Sequence, residues 1–419
     1  MKYYEEDFLS YKLHMIKTNK FKTVNVKIVF SSFVKKEQIT IKNFLADILT
    51  YSTKKYPTKK EYSVKLQDLY AMNAFSNCYR IGKLYNMEIN ASFLNEKYTE
   101  DNMFRESIDF LKEIVFNPNV SNNTFDINSF NVIKDITKTQ IDSVKENTRK
   151  LSLIRMLENM GKDEVYSYHG FGYFEDLEKI TPSNLYEYYK EVINKSKIDI
   201  YVLGDIDINE TKKIINEAFK FSTIKMPKND FITYHDSFRR KPKEVVEEAH
   251  ISQSKLSIGC KIKDITEFER NYVLPLYSMI LGGGSDSKLF REVREKNSLC
   301  YYVSSSANKL DNILFITSGI NSENFEKATT LIKKSLVDME KGKFDQNDID
   351  KATVQYLAML DEQQENPFQI ISSYYSMEIL NYDSIDKRKE KIQSVTYEDI
   401  KRVASKIHVD TVYLLKGAQ

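Results

Sequence analysis

An internal repeat is the feature of this sequence that most restricts its fold. Residues 180–205 read ITPSNLYEYYKEVINKSKIDIYVLGD, and residues 395–417 read VTYEDIKRVASKIHVDTVYLLKG. In both, a β-branched pair precedes a capping-type segment, an amphipathic helix and a short apolar strand that ends in Gly. The helical spacing is carried by Leu185, Tyr188, Tyr189 and Val192 in one copy and by Ile400, Val403, Ala404 and Ile407 in the other. With strands expected at residues 198–203 and 411–415, the repeat predicts a duplicated chain.

Other segments pair in the same order along the chain. Each copy opens with a predicted strand, at residues 23–31 and 255–261, and an apolar helix follows each strand. The two helical faces are formed by Ile41, Phe44, Leu45, Ile48 and Leu49 and by Tyr272, Val273, Leu276, Ile280 and Leu281. Residues 223–244 hold two prolines, clustered charge and no period, which is typical of a linker. We therefore predict an α+β chain of two homologous halves, residues 1–222 and 245–419.

Composition excludes several classes of protein. The chain has 62 basic and 60 acidic residues among 419, a net charge of +2, whereas nucleic-acid binding needs a concentrated basic excess. No run of about 18 apolar residues is present, so no membrane span is expected. Residues 1–10, MKYYEEDFLS, lack the apolar core of a signal peptide. Three widely spaced cysteines, Cys78, Cys260 and Cys300, predict reduced thiols and a cytoplasmic location.

Two longer blocks resemble a known family. Residues 280–306, ILGGGSDSKLFREVREKNSLCYYVSSS, resemble the C-terminal signature of the insulinase/pitrilysin peptidases, which include mitochondrial processing peptidase. Residues 171–207 resemble the late N-terminal segment of the same family. The resemblance implies two homologous halves that close like a clamshell around a peptide, each an antiparallel-rich sheet with helices packed on one side. Active members carry an inverted zinc motif, H-x-x-E-H, whose two His bind zinc and whose Glu is the general base.

The zinc motif is missing from this chain. Its five histidines never lie within five residues of one another. Aligned with the family, Asn43, Ala46 and Asp47 stand where His, Glu and His belong, and Asp135 falls near the position of the third ligand. Two carboxylates and an amide suit Mg²⁺ or Ca²⁺ better than zinc, and the alternative is that all four are ordinary helix residues. Without a metal or base, water is not activated for amide hydrolysis, so no cofactor is expected in this chain.

A second pair of family positions is retained. The family's C-terminal half supplies an Arg and a Tyr to the substrate, and Arg294 and Tyr301 match them in the LFxxxRE and Leu-x-Tyr pattern. Strand alternation predicts that Tyr301 shares a face with Val303 and Ser305. Alternatively, Arg294 pairs with a nearby glutamate (Glu106, Glu292 or Glu295) and Tyr301 is a half-buried strand residue.

A run of three glycines precedes this pair. The run at Gly282, Gly283 and Gly284 lacks the order of a phosphate loop. Glycines here let the chain turn tightly and approach a neighbour, and in the family this loop lies near the other half or a partner subunit.

The expected function follows from what is lost and what is kept. The chain resembles the zinc-less member of bacterial paired peptidases, which binds peptide for a homologous subunit that bears HxxEH and the zinc. One alternative is a structural or peptide-binding protein with no peptidase partner. Another is an independent enzyme that uses an unusual metal.

Overall fold

The structure, a computed structural model, describes residues 1–222 and 231–417. They form two compact units. Unit 1 consists of Met1–Asp142, His169–Asp230 and Glu365–Ser376, of which residues 223–230 lie outside the described part. Unit 2 consists of Ser143–Tyr168, Phe231–Gln364 and Met377–Gln419, of which residues 418–419 lie outside the described part.

Both units are built from strands and helices in alternating runs. The strands are β1 (Lys2–Asp7), β2 (Lys12–Lys17), β3 (Thr23–Phe33), β4 (Asn73–Ile81), β5 (Leu84–Leu94), β6 (Val120–Ser121), β7 (Thr124–Phe125), β8 (Lys197–Gly204), β9 (Lys243–Ala249), β10 (Ser254–Ile262), β11 (Cys300–Asn308), β12 (Ile313–Ile320) and β13 (Ile407–Gly417). The α-helices are α1 (Ile39–Leu49), α2 (Lys59–Asp68), α3 (Met103–Phe116), α4 (Ile127–Glu146), α5 (Thr148–Met160), α6 (Phe174–Leu177), α7 (Pro182–Lys195), α8 (Ile208–Ala218), α9 (Leu274–Gly282), α10 (Phe325–Glu340), α11 (Gln346–Gln363), α12 (Pro367–Leu380), α13 (Ile385–Gln393) and α14 (Tyr397–Ala404). Two segments, Glu269–Val273 and Phe290–Glu295, are π-helical.

The sheets of the two units share one strand order. In unit 1 the order is β4-β5-β3-β8-β2-β1, and in unit 2 it is β11-β12-β10-β13-β9. Neighbours are antiparallel except at one matching place in each sheet, where β2 runs parallel to β8 and β9 parallel to β13. Chance does not produce the same order and the same exception twice, so the predicted duplication and α+β class are confirmed.

One face of each sheet carries the main apolar core. In β3 the alternate residues Val24, Val26, Ile28 and Phe30 enter the core of unit 1, where helices α1, α3, α7 and α8 cover them. In β10 the alternate residues Leu256, Ile258, Cys260 and Ile262 do the same in unit 2 beneath α9, α10 and α14. These helices form the layer that the sequence predicted, but in unit 2 helices are not confined to one side of the sheet.

The other face of the sheet in unit 2 is covered by α5. Met156 and Met160 pack there against Tyr413 and Leu415. The helix comes close because β10 has Gly259 at this point, where an added Cβ would lie 2.2 Å from the sulfur of Met160. In unit 1 the corresponding face is polar, and a buried ion pair joins Lys27 to Glu88 at 2.9 Å.

Two local expectations are corrected. The last strand begins at Ile407, four residues before the predicted start, so Ile407 lies in β13 and not on the face of α14. Of the predicted linker, residues 223–230 lie outside the described part, and residues 231–242 form no helix or strand. The backbone of that stretch is nevertheless fixed to unit 2, because Thr233 donates to the carbonyl of Leu310 at 2.8 Å. Strand β9 then begins at Lys243.

Candidate functional site

Helix α1 holds the three residues that replace the zinc motif. The half-buried Asn43 turns its amide nitrogen into the protein, 3.0 Å from the carbonyl of Ile39 and 2.9 Å from that of Gly170. The hydroxyl of Tyr85 lies 2.9 Å from the same nitrogen. Ala46 is buried and has no polar group. Position 43 therefore serves as a structural hydrogen-bond donor, and position 46 offers no base.

The two carboxylates do not complete a metal site. Asp47 is partly buried, and burial raises the pKa of its carboxyl. A weak hydrogen bond from Gln140, at 3.5 Å, acts in the opposite direction. Asp135 lies on the exposed side of α4. Neither carboxylate belongs to a group of three metal-ligating side chains within residues 1–222 and 231–417. A catalytic zinc is held by three protein ligands, usually with imidazole among them, and this helix offers one carboxylate and no imidazole, so its residues do not fit the ion.

A buried lysine next to Asn43 was missed by the sequence analysis. Lys42 is 2% exposed, and its ammonium donates to the hydroxyl of Ser32 at 2.6 Å and to the carbonyl of Tyr85 at 2.9 Å. Burial lowers its pKa to about 8, although the charges of Cys78 and Glu191 oppose the change. A cation inside this helix repels a dication nearby. The signal was present in the sequence, because Lys42 shares the helical face of Leu45 and Leu49.

Arg294 lies in unit 2 at the end of a π-helical segment. Its guanidinium stacks 4.8 Å from the ring centre of Phe290 and is exposed to solvent. In the described chain it makes no ion pair: Glu292 pairs with Lys296 at 2.7 Å, and Glu106 pairs with Lys65 at 3.6 Å. None of the three glutamates that the alternative named, including Glu295, forms an ion pair with Arg294 in the described chain.

Tyr301 lies at the start of edge strand β11, where the expected alternation fails. The register with β12 shifts between Cys300 and Tyr302, so Tyr301 is the extra residue of a β-bulge. Its side chain is 59% exposed, whereas Val303 and Ser305 are buried. The bulge turns Tyr301 away from the face that these two residues share.

Arg294 lies near the start of β11 as well. Burial raises the pKa of the thiol of Cys300, the residue before Tyr301. The positive charge of Arg294 opposes this effect. Tyr301 donates only a long hydrogen bond of 3.3 Å to Asn321. The structure thus places a free guanidinium and an exposed phenol at the same end of β11.

The glycine run has one position with a clear packing role. A Cβ added at Gly282 would lie 2.5 Å from the backbone nitrogen of Ser305, so Gly282 lets α9 approach β11. A Cβ at Gly283 would meet the backbone of Met279 at 2.6 Å. Gly284 is exposed, and its nearest neighbour would be an amide of Gln355 at 3.6 Å. Gly284 borders an open cavity of about 230 Å³.

Together, the duplicated α+β fold and the altered helix α1 define a peptidase-like protein that lacks the residues for its own catalytic zinc. Comparisons with known proteins give the family. A family model described as the peptidase M16 inactive domain matches residues 179–356. The "probable inactive metalloprotease YmfF" of Bacillus subtilis is 31% identical over 412 residues, which cover 97% of this chain and 96% of that protein. The chain therefore belongs to the M16 peptidase family, and the resemblance stated from the sequence is confirmed.

Solved structures show the same fold. A conserved protein from Enterococcus faecalis superposes with a TM-score of 0.91 at 24% identity and covers 99% of both chains. The peptidase M16 inactive domain from Pseudomonas fluorescens has a TM-score of 0.79 at 15% identity, over 100% of this chain and 98% of the other. Among the described residues, no helix is both long and apolar enough to span a membrane.

Proposed function

We propose that this chain is the non-catalytic subunit of a heterodimeric zinc endopeptidase, in which it binds and positions peptide for a homologous partner that bears HxxEH. One observation carries the proposal: Arg294 keeps an uncompensated, exposed guanidinium in a chain whose zinc helix is degenerate. A surface arginine that pairs with no acid contributes little to stability, which favours a role in binding.

The chemistry of the two side chains suits a peptide. The guanidinium of Arg294 presents several N–H donors in a plane, and these match a peptide carbonyl or a carboxylate. Tyr301 adds one O–H donor. The bulge between Cys300 and Tyr302 leaves the side chain of Tyr301 exposed at this end of the edge strand, where its hydroxyl is accessible to a peptide.

The proposed location is the reducing cytoplasm. All three cysteines are free, with Cys260 and Cys300 buried and Cys78 partly buried. Burial raises the pKa of each thiol, so none is a reactive thiolate at neutral pH.

The proposal is tested by reconstitution. The chain is co-expressed with the product of its neighbouring gene, and cleavage of a quenched-fluorescent peptide library is measured. We expect activity only from the mixture, and we expect Arg294→Ala to lower kcat/KM by about tenfold or more, since a charge-assisted hydrogen bond contributes about 1.5–3 kcal/mol. Tyr301→Phe removes only the hydroxyl and has a smaller effect in the same direction.

Arg240→Ala is the matched control. Arg240 is exposed and makes no ion pair within the described residues, so it matches Arg294 in charge and exposure but lies elsewhere in unit 2. Equal activity of the wild-type and Arg294→Ala mixtures refutes the positioning role. Failure of the chain to associate with any such protein, in a pull-down from its native source, favours the stand-alone alternative.

A further inference from the structure

Three basic side chains meet in unit 2, away from Arg294 and Tyr301. Arg270 belongs to the π-helical segment before α9, Lys309 to the turn between β11 and β12, and Arg388 to α13. Helix α13 packs against both the π-helical segment and α11. Both arginines act electrostatically on Lys309, so residues that are 118 positions apart in the sequence lie in one region, and all three are basic.

The charges of these three residues are not neutralised by the protein. None of them forms an ion pair in the described part of the chain. Several other cations of unit 2 are paired: Arg402 and Lys406 both bind Glu269, and Arg291 lies 3.0 Å from Asp348. Among the described residues, the three members of the cluster have no carboxylate at such a distance.

Several polar atoms of the cluster also lack partners. Arg270 is 7% exposed, and its Nε is buried with no acceptor. The hydroxyl of Tyr382 is likewise buried without a partner, and the ammonium of Lys309 lies 4.1 Å from the centre of that ring. Arg388 makes a long 3.4 Å hydrogen bond to the hydroxyl of Tyr356. Unmet donors in a buried place are costly, and a ligand with several acceptor oxygens would satisfy them.

The electrostatics of Lys309 point the same way. Burial and the charges of Arg388 and Arg270 lower its pKa to about 7. Burial raises the pKa of Tyr382, and the same two arginines oppose that effect. The phenol of Tyr356 and the exposed Glu267 also raise this pKa. Protein groups near Lys309 thus disfavour its charge.

We propose that Arg270, Lys309 and Arg388 form a binding site for a phosphate-type dianion. Two guanidiniums and an ammonium carry the positive charge that suits a dianion. A single carboxylate would leave part of that positive charge uncompensated. Guanidinium forks and phenol hydroxyls are suitable donors for the oxygens of a phosphate group. The site is separate from the proposed peptide contact and does not depend on it.

Titration of the full-length chain tests the proposal. Inorganic phosphate, O-phosphoserine and a nucleoside monophosphate are titrated at constant ionic strength, and heat of binding and thermal unfolding are measured. We expect saturable binding of at least inorganic phosphate, with a rise in Tm that chloride does not reproduce. Tighter binding of one of the two larger probes identifies the source of the phosphate group. Acetate binding as tightly as phosphate, or no binding of any phosphate probe, overturns the proposal.

A variant separates a ligand site from a structural cluster. Lys309→Met removes the cation and keeps an apolar stem of similar length. We expect it to weaken phosphate binding by about 10- to 100-fold and to raise the Tm of the ligand-free chain, because an uncompensated charge has been removed. Arg270→Gln should weaken binding in the same direction. Arg291→Met, which removes a neutralised arginine of the same unit, should bind phosphate as the wild type does. A lower Tm in Lys309→Met with unchanged affinity would show a purely structural role.

The pH dependence gives a second readout that a structural role would not produce. Sulfate serves as the probe because it stays a dianion across the range. Since the protonated form of Lys309 binds the anion, wild-type affinity should fall by up to about tenfold per pH unit above pH 7. Affinity of the Lys309→Met variant for sulfate should stay flat between pH 6 and 9. A parallel profile in the two proteins contradicts the site.

Discussion

The buried lysine of helix α1 permits a quantitative prediction about stability. The pKa of Lys42 falls from its ordinary value of 10.5 to about 8, mainly through burial. At about 1.36 kcal/mol per pKa unit, the charged ammonium destabilises the folded chain by about 3 kcal/mol at pH 7. The unfolded chain keeps this proton up to about pH 10.5, whereas the folded chain releases it near pH 8. The unfolded state therefore binds more protons within that window, and stability rises with pH across it.

Lys42→Met isolates this charge. The hydrogen bonds to Ser32 and Tyr85 can be made by the neutral amine as well, so their loss in the variant is nearly independent of pH. The difference in unfolding free energy between wild type and variant should thus move in favour of the wild type by about 1.4 kcal/mol from pH 7 to pH 9.

The assay is urea unfolding followed by circular dichroism at a series of pH values. Lys60→Met is the control, because Lys60 is exposed on α2 and should give a flat difference. A flat difference for Lys42→Met as well would refute the reasoning, since it would mean that the ammonium is solvated in the folded chain.

Three further predictions concern the same two units. Asn43→Ala should lower stability by about 1 kcal/mol through lost hydrogen bonds to Gly170 and Tyr85, with no change in metal content, as measured by urea unfolding and elemental analysis. Gly282→Ala should lower Tm markedly, because its Cβ would lie 2.5 Å from the nitrogen of Ser305, whereas Gly284→Ala should be nearly neutral; equal effects would contradict the packing argument. Glu269, 1% exposed, is held by Lys406 and Arg402, and despite the opposing effect of burial its pKa is lowered to about 2. The stabilisation that the charged carboxylate gives the folded chain is present above about pH 4.5 and is lost as pH falls towards 2. The stability difference between wild type and Glu269→Gln should therefore shrink over that window.

Much of the architecture was predictable because it is encoded in local periodicity. The helix–strand repeat at residues 180–205 and 395–417 corresponds to α7 with β8 and to α14 with β13. The order of these elements implied two similar sheets, and the shared strand order agrees. The predicted strands at residues 23–31 and 255–261 likewise lie within β3 and β10.

Other features left no local signal. An amphipathic helix such as α5 shows that one face is buried, but its sequence does not say which sheet covers that face. The bulge at Tyr301 depends on how β11 pairs with β12, and strict alternation therefore misplaced the side chain. The cluster of Arg270, Lys309 and Arg388 joins three distant segments and is visible only in the fold. Lys42, by contrast, could have been found, because it lies on the same helical face as Leu45.

The zinc content of the isolated chain tests the central claim most directly. The purified protein is dialysed against micromolar zinc and then against buffer, and zinc is measured by elemental analysis together with peptide cleavage. With Asn43 bonded into the protein and a buried ammonium beside it, we predict about zero zinc per chain and no cleavage. About one tightly held zinc per chain with cleavage of peptide would contradict the account.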